Sequence, residues 1–461
     1  LAPDHSLFLL ILTHPLPLTP YQIMAQYTKI PILCWLLLTL LLLACGDSAS
    51  APDTPPSEDS LATAPIVPEG AQSPAVTTGA VRLLRDSLGL LSGKKVGVVA
   101  NQTSLVGGVH LIDTLLAQGI SVVRAFAPEH GFRGDADAGQ RVRDLNDPKT
   151  GLPIISLYGD NKKPQARYLQ DLDLVIFDIQ DVGARFYTYL STLAYVMEAC
   201  AEAGVPVLLL DRPNPNGWYV DGPVLTAGNE SFIGMHQIPI VHGMTLGEYA
   251  GMVNGEGWLK GGIQAELRVL TCLGYRHTMR WEATGLDWVA PSPNLATAYA
   301  AYLYPALCWF EPTPVSLGRG TDSAFTLMGA PWFQASGAET DTWSAHGLQA
   351  RRMTFTPRSL PGKASSPKYR DQACQGLMFT NQVAGKALFL AGLTLLRDSY
   401  EQFEAYSGGE PFFYKGFNRW PGNSQLRQQI IQGEDPEQIW ESWQKGVQVF
   451  NAKRKPYLRY P

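Results

Sequence analysis

Between residues 94 and 211 the chain repeats one pattern: a short apolar run, a polar loop, and a helical stretch closed by glycine. The runs at 94–100 (KKVGVVA), 120–126, 153–158, 172–179 (LDLVIFDI) and 205–210 have strand length but lack the alternation of a half-exposed strand. Such runs suit strands buried on both faces of a parallel sheet. Helical spacing lies between them, at 111–118 before Gly119 and at 187–203 before Gly204, where Leu190, Leu193, Ala194, Met197 and Ala201 share one face. This alternation predicts an α/β fold with a Rossmann-like parallel sheet. A parallel sheet brings all its carboxyl ends to one edge, where ligands of such folds bind. Four of the five runs empty into ionisable or amide side chains: Asn101, then Glu129, then Asp178 with Gln180, then Asp211. Any one of these could cap the next helix. Together they predict a shared pocket.

The pattern changes after residue 228. A run at 238–241 leads to His242, a helix fits 246–254, residues 265–272 alternate like a strand, and helical spacing returns at 383–397 and 436–450. Rigid loops lie between, one at 288–294 with Asn294 and one at 308–321 with Glu311 and Arg319 among Pro and Gly. The folded part therefore divides into a Rossmann-like domain at 79–228 and a smaller α+β domain at 229–461, whose loops could close over the sheet edge.

Residues 1–23 carry no foldable pattern and precede Met24, so they read as an upstream artefact. Residues 24–44 have the shape of a signal peptide, with Lys29 before an uncharged apolar stretch too short for a comfortable membrane span. The ending Leu42-Leu43-Ala44-Cys45-Gly46 resembles a bacterial lipobox, which implies a lipid on Cys45 and a place in the cell envelope, anchored to a periplasm-facing membrane. Residues 47–78 hold six prolines and no aromatic residue, so they cannot bury enough surface to fold and serve as a tether.

A formal net charge of -5 gives no electrostatic reason to expect nucleic acid as a partner. Among the cysteines at 34, 45, 200, 272, 308 and 374 no zinc spacing occurs; Cys200 reads as core, and one pair among the last three could bridge. No GxGxxG follows the first strand, and no GxxxxGK[ST], HExxH or GxSxG is present. What remains is a cleft of carboxylates, arginines and aromatics, the equipment of glycoside hydrolysis. There one carboxyl protonates the leaving oxygen and a second acts as base or nucleophile.

Six motifs carry this reading further: PEHGFRG at 128–134, FDIQDVGARFYTY at 177–189, DRPNPNG at 211–217, HGMTLGE at 242–248, PSPN at 291–294 and GRGT at 318–321. Together, and in this order, they resemble the NamZ-type exo-β-N-acetylmuramidases. The resemblance runs from about residue 80 to the C-terminus. It implies an active site in the cleft between two domains, no cofactor or metal, and release of N-acetylmuramic acid from the non-reducing end of peptidoglycan fragments.

Both lines of reasoning point to Glu129 as catalytic acid, with His130 beside it to tune its charge or position. Asp178 and Asp181 are the candidates for the second group, although either could simply hold its loop. Muramic acid differs from glucosamine by a lactyl carboxylate, and a planar guanidinium binds carboxylate through two parallel hydrogen bonds. Arg185 is the first choice for that role, with Arg212 and Arg319 behind it. Tyr187, Tyr189, His242, Asn294, Asn101, Gln180, Asp211, Asn214 and Glu311 complete the candidate substrate contacts. One departure from the family pattern stands next to Glu311, where Pro312-Thr313-Pro314 stiffens the loop and removes two backbone donors. The alternative from another class is a lipid-anchored protein that binds muropeptides or other glycans without cleaving them; it would not need Glu129 at a strand end.

Overall fold

The structure, a computed structural model, describes residues 76–133, 145–334 and 345–461. The leader, Cys45 and nearly all of the tether lie outside the described residues. Helix α1 (Gly79–Asp86) opens the fold and is followed by β1 (Lys95–Ala100), the hairpin β2 (Leu105–Val106) and β3 (Val109–His110), α2 (Leu111–Ala117) and β4 (Ser121–Ala127). Then come β5 (Leu145–Asn146), β6 (Pro153–Ser156), β7 (Leu174–Asp178), α3 (Tyr189–Ala203) and β8 (Val207–Leu210). All five apolar runs are strands, and β1, β7 and β8 are buried along nearly their whole length. Helix α3 stops at Gly204, which takes φ +67°, a left-handed turn that glycine adopts without steric cost.

The main sheet runs β5-β6-β4-β1-β7-β8-β9, with β9 at Leu267–Leu270. Only β5 is antiparallel. Counting the six parallel strands in chain order gives 3-2-1-4-5-6, the doubly wound order of Rossmann folds, with its switch point between β1 and β7. Strand β9 pairs from Val207↔Leu267 to Leu210↔Leu270, so the sheet continues past residue 228.

Helix α4 (Leu246–Gly255) precedes β9, and beyond β9 the chain forms α5 (Ala298–Leu307) and an antiparallel sheet of β10 (Leu327–Ala330), β11 (Ala350–Phe355) and β12 (Cys374–Phe379). Three helices follow: α6 (Lys386–Ser407), α7 (Gln425–Ile431) and α8 (Pro436–Arg454). One apolar core takes in Phe126 and Phe177 from the sheet, Leu193 from α3, and Trp309 and Phe389 from the second half. Cys200, Cys272, Cys308 and Cys374 are buried and free, so the suggested bridge among the last three does not form.

The two halves are also joined by a polar contact. Asp211, at the end of β8, is fully buried; its Oδ2 accepts from Thr245 Oγ1 at 2.7 Å and Tyr460 Oη at 2.5 Å, and its Oδ1 from the Gly247 N–H at 2.9 Å. Burial pushes this carboxyl up to about 6, with the three donors pulling the other way. Tyr460→Phe removes one donor from a buried acceptor. It is expected to destabilise by about 1–3 kcal/mol in urea unfolding.

Candidate functional site

Strand β4 ends in a turn that sets the site. Gly131 N–H donates to the Pro128 carbonyl at 3.2 Å, and His130 stands at φ +73°. A residue with a Cβ rarely adopts this conformation, and such strain collects at functional turns. The turn sends Glu129 out half-buried while His130 tucks under it at 4% exposure. Arg133 turns away, its guanidinium on Asp147 at 3.0 and 2.8 Å and on Asp113 at 3.3 Å.

Two hydroxyls hold the Glu129 carboxylate. Thr188 Oγ1 donates to Oε2 at 2.8 Å, and the Tyr158 hydroxyl, just past β6, bonds to it as well. Thr188 occupies the N-cap of α3, where a threonine ordinarily accepts from the helix's own N–H groups. It makes no such bond. Its hydroxyl serves Glu129 instead.

Among the described residues, Glu129, His130, Tyr187 and Thr188 line one cleft with Tyr304, Glu311, Arg319, Phe325 and Trp420 from the second half. Arg319 Nε bonds Glu311 Oε1 at 3.0 Å, both side chains about a quarter exposed. Burial opposes the Glu311 charge, but Arg319 and Lys368 outweigh it and hold the carboxyl below its usual range. Lys368 donates to the carbonyls of Phe310, Glu311 and Val315 at 3.3, 2.9 and 2.8 Å, and burial pushes its ammonium down to about 8. Ser292 and Leu295 line the cleft from the PSPN loop, while Asn294 between them donates to the Lys363 carbonyl at 2.7 Å.

The other predicted site residues face inward, apart from Gln180 and Arg212, which line a second pocket with Thr103 and Trp281. Asp178 takes both its oxygens to Arg212, at 2.6 and 2.9 Å, in a pair with 0% and 9% side-chain exposure. Arg185, 1% exposed, donates to the carbonyls of Pro223, Ile238 and Trp420, so it braces a cleft wall rather than meeting a substrate. Asn101 bonds Thr103 and the Tyr189 hydroxyl, which reaches on to the Pro291 carbonyl at 2.8 Å. Gln180 donates to the carbonyls of Asp181 and Pro213, and Asn214 to that of Met244. Buried His242 accepts from Met244 N–H, and burial with Arg454 and Arg185 nearby pushes its imidazole down to about 3. Asp181 accepts from Gly183 N–H at 2.7 Å, and burial pushes its carboxyl up to about 7. A side chain on Gly183, at φ +75°, would collide with Asn214 Oδ1, which explains the glycine after this aspartate.

Thr188, Tyr158, Tyr304, Trp420 and Lys368 were missed by sequence reasoning. Tyr158 left a signal, since it closes the third apolar run, and Thr188 lies inside the motif at 177–189.

A Rossmann-ordered sheet that presents a hydroxyl-held carboxylate opposite an Arg–Glu pair defines an α/β protein with a cleft of the glycoside-hydrolase kind. The N-terminal family model of exo-β-N-acetylmuramidase NamZ matches residues 96–299 and the C-terminal one residues 302–460. The chain belongs to the NamZ exo-β-N-acetylmuramidase family. It is 39% identical over 404 residues to the peptidoglycan β-N-acetylmuramidase NamZ of Bacillus subtilis, covering 85% of this chain and 92% of that protein. Crystal structures of two DUF1343 family proteins of Bacteroides fragilis are similar, at 39% and 29% identity with TM-scores of 0.71 and 0.73. Each covers 84% of this chain and 99% of its own.

Two outcomes follow from the site's geometry. Thr188→Val is expected to lower kcat by about 10- to 100-fold with KM little changed, and Thr188→Ser to restore most of it, because the hydroxyl alone is at issue. For Asp181 the folded carboxyl titrates above its unfolded value. Its contribution is therefore present below about pH 4 and lost as pH rises through about 7, on the order of 4 kcal/mol at most. The unfolding free energy of wild type minus that of Asp181→Asn, followed by urea titration, should fall across that window.

Proposed function

We propose that this chain is an exo-β-N-acetylmuramidase that hydrolyses the non-reducing terminal N-acetylmuramic acid from peptidoglycan fragments, with Glu129 as general acid. The observation that carries the assignment of Glu129 is its placement: the one strand-end carboxylate of the sheet that opens on the cleft, held by the Thr188 and Tyr158 hydroxyls. Its proton goes to the leaving glycosidic oxygen as that bond breaks. Asp178 and Asp181 are turned inward, which leaves Glu311 as the other carboxyl lining the cleft among the described residues. Arg319 and Lys368 keep it charged, the state a base or nucleophile requires.

Arg319 takes the role first expected of Arg185. Its Nε is on Glu311, and its two terminal nitrogens make no hydrogen bond among the described residues. That free edge suits the lactyl carboxylate, the group that distinguishes muramic acid from glucosamine. Arg319→Met is expected to lower kcat/KM for a chromogenic β-MurNAc glycoside about 30-fold further than for the β-GlcNAc analogue, both sugars sharing the loss of the Glu311 ion pair. Equal losses on both sugars would rule the role out.

The assignment of Glu129 is tested by sugar release from MurNAc-GlcNAc, wild type against Glu129→Gln. A fall of several orders of magnitude in a folded variant supports it. Binding of the disaccharide by both proteins without release would favour the glycan-capture reading.

We also propose that Cys45 carries lipid and that the 47–78 tether holds the enzyme at a periplasm-facing membrane of the cell envelope. The support is the uncharged apolar stretch ending LLACG and the Pro-rich segment after it. Cys45→Ser should move the protein from the membrane to the soluble fraction.

A further inference from the structure

An aromatic ledge adjoins the cleft and has no part in the steps above. The ring of Tyr158, whose hydroxyl is on Glu129, lies 6.2 Å from that of Phe232 at 49°. Phe232 in turn stacks on Tyr195 of α3 at 6.2 Å and 16°, and the Lys162 ammonium stands 4.7 Å over its centroid. All four residues are half exposed. The tyrosines inside the cleft behave differently: Tyr187 and Tyr304 are 6% and 8% exposed and pack on each other in the core. The ledge is joined to the cleft at two points, through Tyr158 to Glu129 and through Ile233, which follows Phe232 and lines the cleft.

A general acid sits over the bond it breaks, between the sugar being released and the leaving group. An exo-acting site encloses the terminal sugar, and the rest of the substrate lies outside. The ledge meets Glu129 through the Tyr158 hydroxyl. We propose that the Tyr158–Phe232 ledge is the subsite for the leaving sugar, an uncharged N-acetylhexosamine whose apolar C–H face packs on Phe232 as the Lys162 ammonium swings off that ring to donate to its hydroxyls. Aromatic rings suit this role because they offer flat apolar area with little conformational entropy to lose.

The proposal rests on Glu129 as the acid, and its test separates the two. Hydrolysis of MurNAc-GlcNAc is compared with that of the methyl β-glycoside of MurNAc, which has no second ring. Phe232→Ala should lower kcat/KM for the disaccharide by about tenfold, mostly through KM, the size of one aromatic contact. The methyl glycoside should stay within about twofold, and Phe232→Tyr should restore the disaccharide. Lys162→Met, a change at the surface, should give the same split at smaller size. Equal losses on both substrates, or no loss on either, would overturn the subsite. Glu129→Gln should abolish both reactions; if it does not, the acid assignment fails whatever Phe232 does.

Discussion

Six parallel strands deliver their carboxyl ends to one edge of a sheet whose faces are covered by helices and loops. The polar groups that arrive there are buried, and a buried polar group without a partner costs about 1–3 kcal/mol. The site follows from how each strand end meets that demand. The side chain of Asn101 is satisfied by Thr103 and Tyr189, Asp178 by Arg212, and Asp211 by Thr245, Gly247 and Tyr460. Glu129 alone is half exposed, because the left-handed His130 turn lifts it out of the edge into the cleft. Two hydroxyls, of Thr188 and Tyr158, hold its carboxylate there.

The strands were legible in the chain because their burial on both faces leaves continuous apolar runs, and the order of helices between them implied a doubly wound sheet. Strand β9 was not legible as part of that sheet. Its burial pattern alternates, since it lies at an edge, and alternation reads the same in any half-covered sheet. The convergence of Asn101, Glu129, Asp178 and Asp211 at one edge was also legible, but not which of them would face a ligand. Arg212 follows Asp211 directly in sequence yet pairs with Asp178 on the neighbouring strand. Only the pairing of β7 with β8 brings those two together. Arg185 misled for a similar reason: a guanidinium in a polar loop looks free until three backbone carbonyls are placed around it.

The Pro312-Thr313-Pro314 departure has a physical resolution in the fold. Two prolines leave this turn rich in carbonyls and poor in donors. The donors come from elsewhere: Tyr414 N–H to the Pro312 carbonyl at 2.9 Å, the Tyr369 hydroxyl to that of Pro314 at 2.6 Å, and Lys368 to the carbonyls of Phe310, Glu311 and Val315. Thr313 closes the turn internally, donating to the Phe310 carbonyl and accepting from Val315 N–H. The loop is thus stiffened rather than lost, and Glu311 is kept facing Arg319. Lys368 is bound to backbone carbonyls, that of Glu311 among them, and acts on the Glu311 carboxylate through the field. Arg319 is then left with its Nε on Glu311 and its side chain lining the cleft beside it.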